Sequence, residues 1–360
     1  MGRRYLRLIL LPLCPVWALV TQLRNELYRA GVVRRREFPL PTFVAGNLSA
    51  GGTGKSPHTE FLARKLSRAG IKTAILSRGY GRRSLGFILS DDTSTAATIG
   101  DEPMMMKRSL KGVDIAVAED RAFGIEKLIE KISPEAIVMD DAYQHLKVRA
   151  SCYFLLTTFA RPFTSDYLLP AGDLREMRMN AERAHCVIVT KTPEQYTGST
   201  PEAIAGRERY RHAIKRYTSA PVIFSTYSYS PRVISCSGDE IKSEELKKYG
   251  LLLVTGIADP TQFLEHIGSL GASFRHLNFP DHHFFSLKDA QKIESALHDM
   301  PGDKKNIILT TEKDLVRLQG ILPAHLPLYS MPIEVRMSEE DEAVFDSVVS
   351  SALEKYNLKI

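Results

Sequence analysis

The chain is poor in cysteine and almost without tryptophan, with four of the former and one of the latter in 360 residues. Cys14, Cys152, Cys186 and Cys236 lie far apart, with no CxxC pair and no histidine at ligand spacing. That pattern excludes a disulfide framework and a zinc site, and it fits a reducing compartment. A membrane-spanning run is also missing. The N-terminal apolar stretch, residues 8–20, has 13 residues and is broken by Pro12 and Pro15, whereas a single span needs about 20. The body of the protein lacks basic excess. Residues 1–36 hold eight arginines against one acid, Glu26, a net of +7, while the other 324 residues carry 40 basic and 41 acidic side chains. A fold that grips nucleic acid is basic over its body, so nucleic acid is excluded as a partner. Nothing marks an obligate protein partner, and there is no internal repeat or low-complexity tract.

What is present is ordinary soluble composition, 44% hydrophobic and 25% charged, at a length that suggests two domains. No small-x-small cleavage site follows residues 8–20, which argues against a signal peptide. The basic segment is read as interfacial, its apolar residues and Trp17 entering lipid while arginines meet anionic headgroups. Val16, Leu19, Val20, Leu23 and Leu27 follow a helical stripe. From Phe38 onward short apolar strands at 42–45, 72–77, 115–118, 136–139, 152–157 and 186–190 alternate with helical patterns. This predicts an α/β fold built on a doubly wound parallel sheet. Two alternating segments, 222–229 and 328–337, flank a second α/β stretch and suggest a smaller domain carried on paired linker strands. The expected division is a membrane-associating segment at 1–36, a P-loop domain at 37–221, a smaller domain at 222–337 and a C-terminal helix at 338–360. That helix, with Ser338 and Asp341 as a capping-box-like start, should pack its stripe of Val344, Phe345, Val348, Val349, Ala352 and Leu353 on the P-loop domain.

The strongest local motif is GNLSAGGTGKSP, residues 46–57, between a predicted strand and a predicted helix. Glycines 51, 52 and 54 let backbone amides approach phosphate, so Ser49, Ala50, Gly51, Gly52, Thr53, Gly54, Lys55 and Ser56 are the candidate nucleotide cradle. Lys55 would reach the β- and γ-phosphates, Ser56 would ligate Mg²⁺, and the following helix would add its positive end. Ser49 stands where the strict P-loop pattern has glycine. IVMDDAYQH, 137–145, ends an apolar strand in Asp140 and Asp141, hard oxygen donors of the kind that hold a Mg²⁺–nucleotide. In GDEPMM, 100–105, Asp101 and Glu102 open a helix with Pro103 in its first turn, where Asp101 could serve as N-cap or as a site residue. PDHHFF, 280–285, sets two histidines before a helix start at Ser286, relevant to chemistry only if two domains close over one cleft.

In order along the chain, GNLSAGGTGKSP, SRGYGRRS (77–84), GDEP (100–103), DDAYQH (140–145), LLPAGDLRE (168–176), VTKTP (189–193), VTGIADPTQF (254–263), FPDHHFF (279–285) and TTEKD (310–314) closely resemble the tetraacyldisaccharide 4′-kinases of lipid A biosynthesis. The resemblance implies Mg²⁺-dependent transfer of the γ-phosphoryl of ATP to the 4′-hydroxyl of a tetraacylated glucosamine disaccharide 1-phosphate, yielding lipid IVA. It implies a lipid substrate in the inner membrane and a peripheral enzyme on that membrane's cytoplasmic face, with a P-loop domain joined to a smaller one by two strands. By motif position Asp101 is similar to the family's catalytic aspartate and His282 to the histidine acting with it. Glu102, Asp140 and Asp141 match acidic residues near metal and phosphates; Gln144, His145, Arg175 and Glu176 match polar residues of the cleft. Arg78, in the basic SRGYGRRS loop, is a candidate for sugar-phosphate contact. Ser56 for the usual Thr, Ala142-Tyr143 for Gly-Phe and Met177 for Pro are departures affecting fine positioning. The alternative is a nucleotide switch or metallocentre chaperone acting on a protein partner; VTKTP resembles the NKxD base-reading motif of GTPases but lacks its final Asp.

Overall fold

The computed structural model describes residues 7–257, 259–281, 283–302 and 304–360. The described part opens with a 3₁₀ turn, Leu8–Leu13, running into helix α1, Cys14–Arg29. The helical stretch thus continues past the apolar run. Pro12 falls inside the 3₁₀ turn and Pro15 in the first turn of α1, where a missing N–H costs little. By length and composition alone, Leu8–Arg29 is long and apolar enough to cross a membrane, with 11% of its most apolar window buried.

The described strands form two sheets. In chain order they are β1 Thr42–Asn47, β2 Thr73–Ser77, β3 Ile88–Leu89, β4 Asp114–Val117, β5 Ala136–Asp140, β6 Cys152–Thr158, β7 Cys186–Thr190, β8 Val222–Tyr229, β9 Arg232–Ser235, β10 Glu240–Lys242, β11 Tyr249–Thr255, β12 Phe274–Asn278, β13 Lys305–Thr311, β14 Leu328–Met331 and β15 Ile333–Met337. The larger sheet has the order β15-β8-β7-β6-β1-β5-β2-β4-β3, parallel from β8 through β4. Its central strands are buried along their whole length, as expected of a parallel sheet covered on both faces. The helices on it are α2 Lys55–Arg68, α3 Asp101–Ser109, α4 Arg121–Ile132 and α5 Pro201–Lys215. One face packs Leu76, Ile125, Leu128, Tyr143 and Leu155; the other packs Phe43, Leu62, Leu66, Ile75 and Phe154. The smaller sheet runs β10-β9-β14-β13-β11-β12 and carries α6 Thr261–Ser269, α7 Leu287–His298 and α8 Glu312–Leu318.

Segment 328–337, expected as one strand, is two. Pro332 has no N–H for a ladder, and the chain changes sheets there: β14 pairs with β13 in the smaller sheet, whereas β15 pairs antiparallel with β8. The stalk strands therefore do pair with each other, and β8 also continues the large sheet through β7. The last helix, α9 Glu339–Glu354, starts at Ser338, whose hydroxyl accepts from the Asp341 N–H. It returns to the large sheet, where Phe345 stacks on Phe154 at 4.8 Å and meets Phe61 edge-on at 5.4 Å.

Candidate active site

β1 and β5 are neighbours, and so are β5 and β2, so their C-terminal ends open on one crevice. The loop leaving β1 reaches α2 through Gly51 at φ 114° and Gly54 at φ 85°, backbone conformations that suit glycine. Gly54 is the N-cap of α2 and no side chain caps that helix, leaving its first amides directed at any anion in the crevice. The rest of the loop is braced. Thr53 accepts from Asn47 Nδ2 at 2.7 Å through its hydroxyl and from Thr190 Oγ1 at 2.8 Å through its carbonyl, and its N–H donates to Gly51 O at 3.0 Å. Ala50 N donates to Asp173 O at 2.6 Å, Arg175 N donates to Leu48 O at 2.7 Å, and Ser49 bridges to Leu174. The LLPAGDLRE segment is therefore the backing of the loop. Behind α2, buried His58 joins Gly54 O at 2.7 Å to Ser225 Oγ on β8 at 2.9 Å, and burial pulls its pKa down to about 4. Gly54 admits no side chain: a Cβ there would lie 1.7 Å from the Tyr227 hydroxyl of β8.

The paired aspartates have different surroundings. Asp140 is 1% exposed; Thr59 Oγ1 donates to it at 3.0 Å and Ser77 Oγ at 3.3 Å. Burial, with Glu102 and Asp141 adding negative potential, pushes its pKa up to about 7. Asp141 faces the crevice with φ 45°, 3.6 Å from Lys55 Nζ and 3.2 Å from Arg175 Nη1. Arg175 also donates to Gln144 Oε1 at 3.4 Å, and Gln144 Nε2 donates to Asn47 O at 2.8 Å. Lys55, Asp141, Arg175 and Gln144 thus converge, with Asp140 behind them, Ser56 in the first turn of α2, and Arg78 exposed just beyond β2. Among the described residues no three His, Cys, Asp or Glu side chains cluster tightly enough to hold a metal unaided. A buried carboxylate with a raised pKa, short of positive charge, still suits Mg²⁺, which takes one or two carboxylates and completes its shell with phosphate oxygens and water.

Several expected residues stand elsewhere. Glu176 does not line the crevice: it is 1% exposed and accepts from Asn25 Nδ2 at 2.9 Å and Arg183 Nη2 at 2.9 Å beneath α1. His145 turns toward the start of α4, where its Nε2 accepts from Arg121 N at 3.1 Å, and burial lowers its pKa to about 4. Asp101 is not an N-cap. Gly100 holds that position, and Asp101 accepts from Arg317 Nε of α8 at 2.8 Å. His282 lies outside the described residues. Its neighbour His283 donates from Nε2 to Asp289 Oδ2 at 3.1 Å, an oxygen that also accepts from Ser286 N and Oγ at the start of α7. The sequence reading missed Arg121, 2% exposed, whose guanidinium donates to Ala118 O at 2.7 Å and Asp140 O at 3.2 Å and so fixes the end of β5. It also missed Arg317. Nothing local singles out either arginine from the other basic residues on helices.

The family profile of LpxK, tetraacyldisaccharide-1-P 4′-kinase, matches residues 6–354. The chain belongs to that family. It is 37% identical over 354 residues to the tetraacyldisaccharide 4′-kinase of Flavobacterium psychrophilum, covering 97% of this chain and 98% of that one. With the tetraacyldisaccharide 4′-kinase of Bacteroides thetaiotaomicron it shares 38% identity over 352 residues, 94% of this chain and 90% of the relative. Among solved structures, the "apo" form of LpxK from Aquifex aeolicus in complex with ATP superimposes with a TM-score of 0.76 at 27% identity, covering 96% of this chain and 99% of that one. The α/β P-loop architecture expected from the sequence is thus the architecture of the family. Tyr143, one of its local departures, is fully buried, with its hydroxyl donating to Asn180 O at 3.0 Å, and its Cβ lies 2.6 Å from where a side chain on Gly46 would begin.

Proposed function

We propose that this chain transfers the γ-phosphoryl group of ATP to the 4′-hydroxyl of a tetraacyldisaccharide 1-phosphate, giving lipid IVA and ADP. The observation that carries the proposal is the convergence of an uncapped helix start, Lys55 and the buried Asp140 at adjacent strand ends, in a chain that the kinase profile matches nearly end to end. Within residues 49–56 the amides of Gly51, Gly52 and the start of α2, together with the Lys55 side chain, bind and orient the triphosphate, while Ala50 N and Thr53 N, engaged with Asp173 O and Gly51 O, hold the loop in shape. Ser56, Glu102, Asp140 and Asp141 are the residues that would hold Mg²⁺, which when bound neutralises charge between the β- and γ-phosphates. The Asp141 carboxylate lies between the Lys55 and Arg175 cations, so that Lys55 is aimed before nucleotide arrives. The acceptor oxygen bonds to the γ-phosphorus as the bond from that phosphorus to the bridging oxygen breaks and ADP leaves. Asp101 takes the hydroxyl proton, and His282 shares it. Positioning and charge stabilisation supply most of the acceleration in such transfers.

The enzyme works as a peripheral protein on the cytoplasmic face of the inner membrane. α1 supports this reading. Ile9, Leu13, Val16, Leu19, Val20 and Leu23 are exposed, at 53–74%, while polar side chains fasten the helix to the body. Trp17 Nε1 donates to Arg175 O at 3.0 Å, Arg7 pairs with Asp173 at 2.8 Å, and Arg29 pairs with Glu182. A helix fastened side-on at both ends lies along a surface with its apolar face in lipid. Arg7, Arg24, Arg29 and Arg36 are engaged with acidic side chains of the protein, which leaves exposed Arg34 as the described arginine best placed for headgroups.

The test incubates purified protein with γ-labelled ATP, Mg²⁺ and tetraacyldisaccharide 1-phosphate in mixed micelles, beside Lys55→Ala and Asp101→Ala. Label in lipid from the wild type, and its loss in both variants, is expected. Label only in free phosphate would favour a nucleotide switch instead.

A further inference from the structure

The TGIADP and TTEKD segments belong to the smaller-sheet body, and one buried side chain joins them. Asp314 is 0% exposed; its Oδ2 accepts from Gly256 N at 2.8 Å and from Thr311 Oγ1 at 3.0 Å. Thr311 in turn caps α8 by accepting from Asp314 N at 3.2 Å. Arg317 follows three residues later with Nη1 3.5 Å from Asp314 Oδ1, its side chain 10% exposed. From this anchored position its Nε donates to Asp101 Oδ2 at 2.8 Å, on a carboxylate 34% exposed. One guanidinium therefore spans two carboxylates, one locked inside the smaller-sheet body and one at the start of α3 on the larger. A planar guanidinium held on one side by a fixed carboxylate has few orientations left, so it orients the group bonded on its other side. The pair is partly buried, which strengthens its attraction over that of a solvent-exposed ion pair.

We infer that Arg317 is a positioning residue for the phosphoryl transfer. It sets the direction of the Asp101 carboxylate and ties that direction to the placement of the smaller-sheet body. The inference rests on the role proposed above for Asp101. As a positioning residue Arg317 acts through Asp101, so its loss falls on kcat and not on either KM: a base displaced by about 1 Å loses rate far out of proportion to any lost binding. Lysine restores the charge without the planar fork that reaches both carboxylates, so it recovers part of the rate.

The experiment measures kcat and both KM values in the mixed-micelle assay for full-length wild type, Asp101→Asn, Arg317→Met, Arg317→Lys and the double variant Asp101→Asn/Arg317→Met, with thermal melts alongside. Arg317→Met is expected to lose about 10- to 100-fold in kcat, with each KM within about threefold of wild type. Arg317→Lys should fall between. The double variant should be no more than about twofold slower than Asp101→Asn, because a residue acting through another adds no further loss once that other is gone. A kcat for Arg317→Met within about twofold of wild type, or losses that multiply in the double variant, would overturn the inference. If Arg317→Met does not melt cooperatively, Arg317→Lys alone and combined with Asp101→Asn decides by the same two criteria. Undiminished turnover by Asp101→Asn removes the assignment beneath the inference, whereas a wild type that makes no labelled lipid removes the proposed reaction itself.

Discussion

α1 and α9 are both 16 residues long, both stand at ends of the chain, and both carry an apolar stripe. α9 buries Phe345, Val349, Ala352 and Leu353 against the large sheet. In α1 the one buried residue is Asn25, and the apolar side chains face outward. An apolar stripe alone thus does not say which face of a helix is covered. In α1 the orientation is set by hydrogen bonds from Trp17 and Asn25 to Arg175 and Glu176, and those same two partners end the segment that braces the phosphate loop. The helix proposed to meet lipid and the loop proposed to hold nucleotide therefore share one support.

The comparison breaks most visibly at its core side. Phe345→Ala should cost about 3–5 kcal/mol, read as a fall in Tm or in denaturant midpoint. Leu19→Ala in α1, at an exposed position, should stay within about 0.5 kcal/mol of wild type; a loss like that of Phe345 would mean the stripe of α1 is core after all. Next in size is Asn25→Ala. It leaves a buried carboxylate of Glu176 short of one donor, at a cost of about 1–3 kcal/mol, and hydrogen exchange in α1 should quicken while α9 stays protected.

A smaller effect contrasts the buried carboxylate of Glu176 with the half-buried one of Glu60. Glu176 has an amide and a guanidinium as donors. Glu60 of α2 has the Ser109 hydroxyl at 2.5 Å, and burial, with Glu312 adding negative potential, pushes its pKa up to about 8. Because the folded value lies above the unfolded one, near 4.5, ionising Glu60 opposes folding; the opposition grows as pH rises from about 5 and is complete above about 8. Glu60→Gln should therefore leave Tm unchanged at pH 5 and raise it by a few degrees, about 1–3 kcal/mol, at pH 8. An equal shift at both pH values would contradict this.

The sequence announces what is periodic or contiguous. The strands β1, β2 and β4 to β7, the phosphate loop, the pairing of the stalk and the stripe of α9 were legible because each is written in neighbouring residues or a fixed repeat. Short edge strands such as β3 and β10 carry too few residues for a pattern. Contacts between distant segments leave no local trace. Glu176 looked like a crevice residue until the structure set it under Asn25, 151 positions away, and Arg317 gave no sign of reaching Asp101 across 216 positions. The split at Pro332 was readable in principle, since a proline inside a presumed ladder strand argues against continuity.

A helix lying in the membrane surface is proposed to supply the kinase crevice with its lipid. The direct measurement compares the wild type with Leu19→Ser/Val20→Ser/Leu23→Ser on tetraacyldisaccharide 1-phosphate presented in anionic vesicles and in detergent micelles. The account predicts equal Tm, near-equal rates in micelles, and a rate on vesicles reduced about tenfold or more together with loss of co-sedimentation. Full activity and binding on vesicles by the triple variant would contradict it.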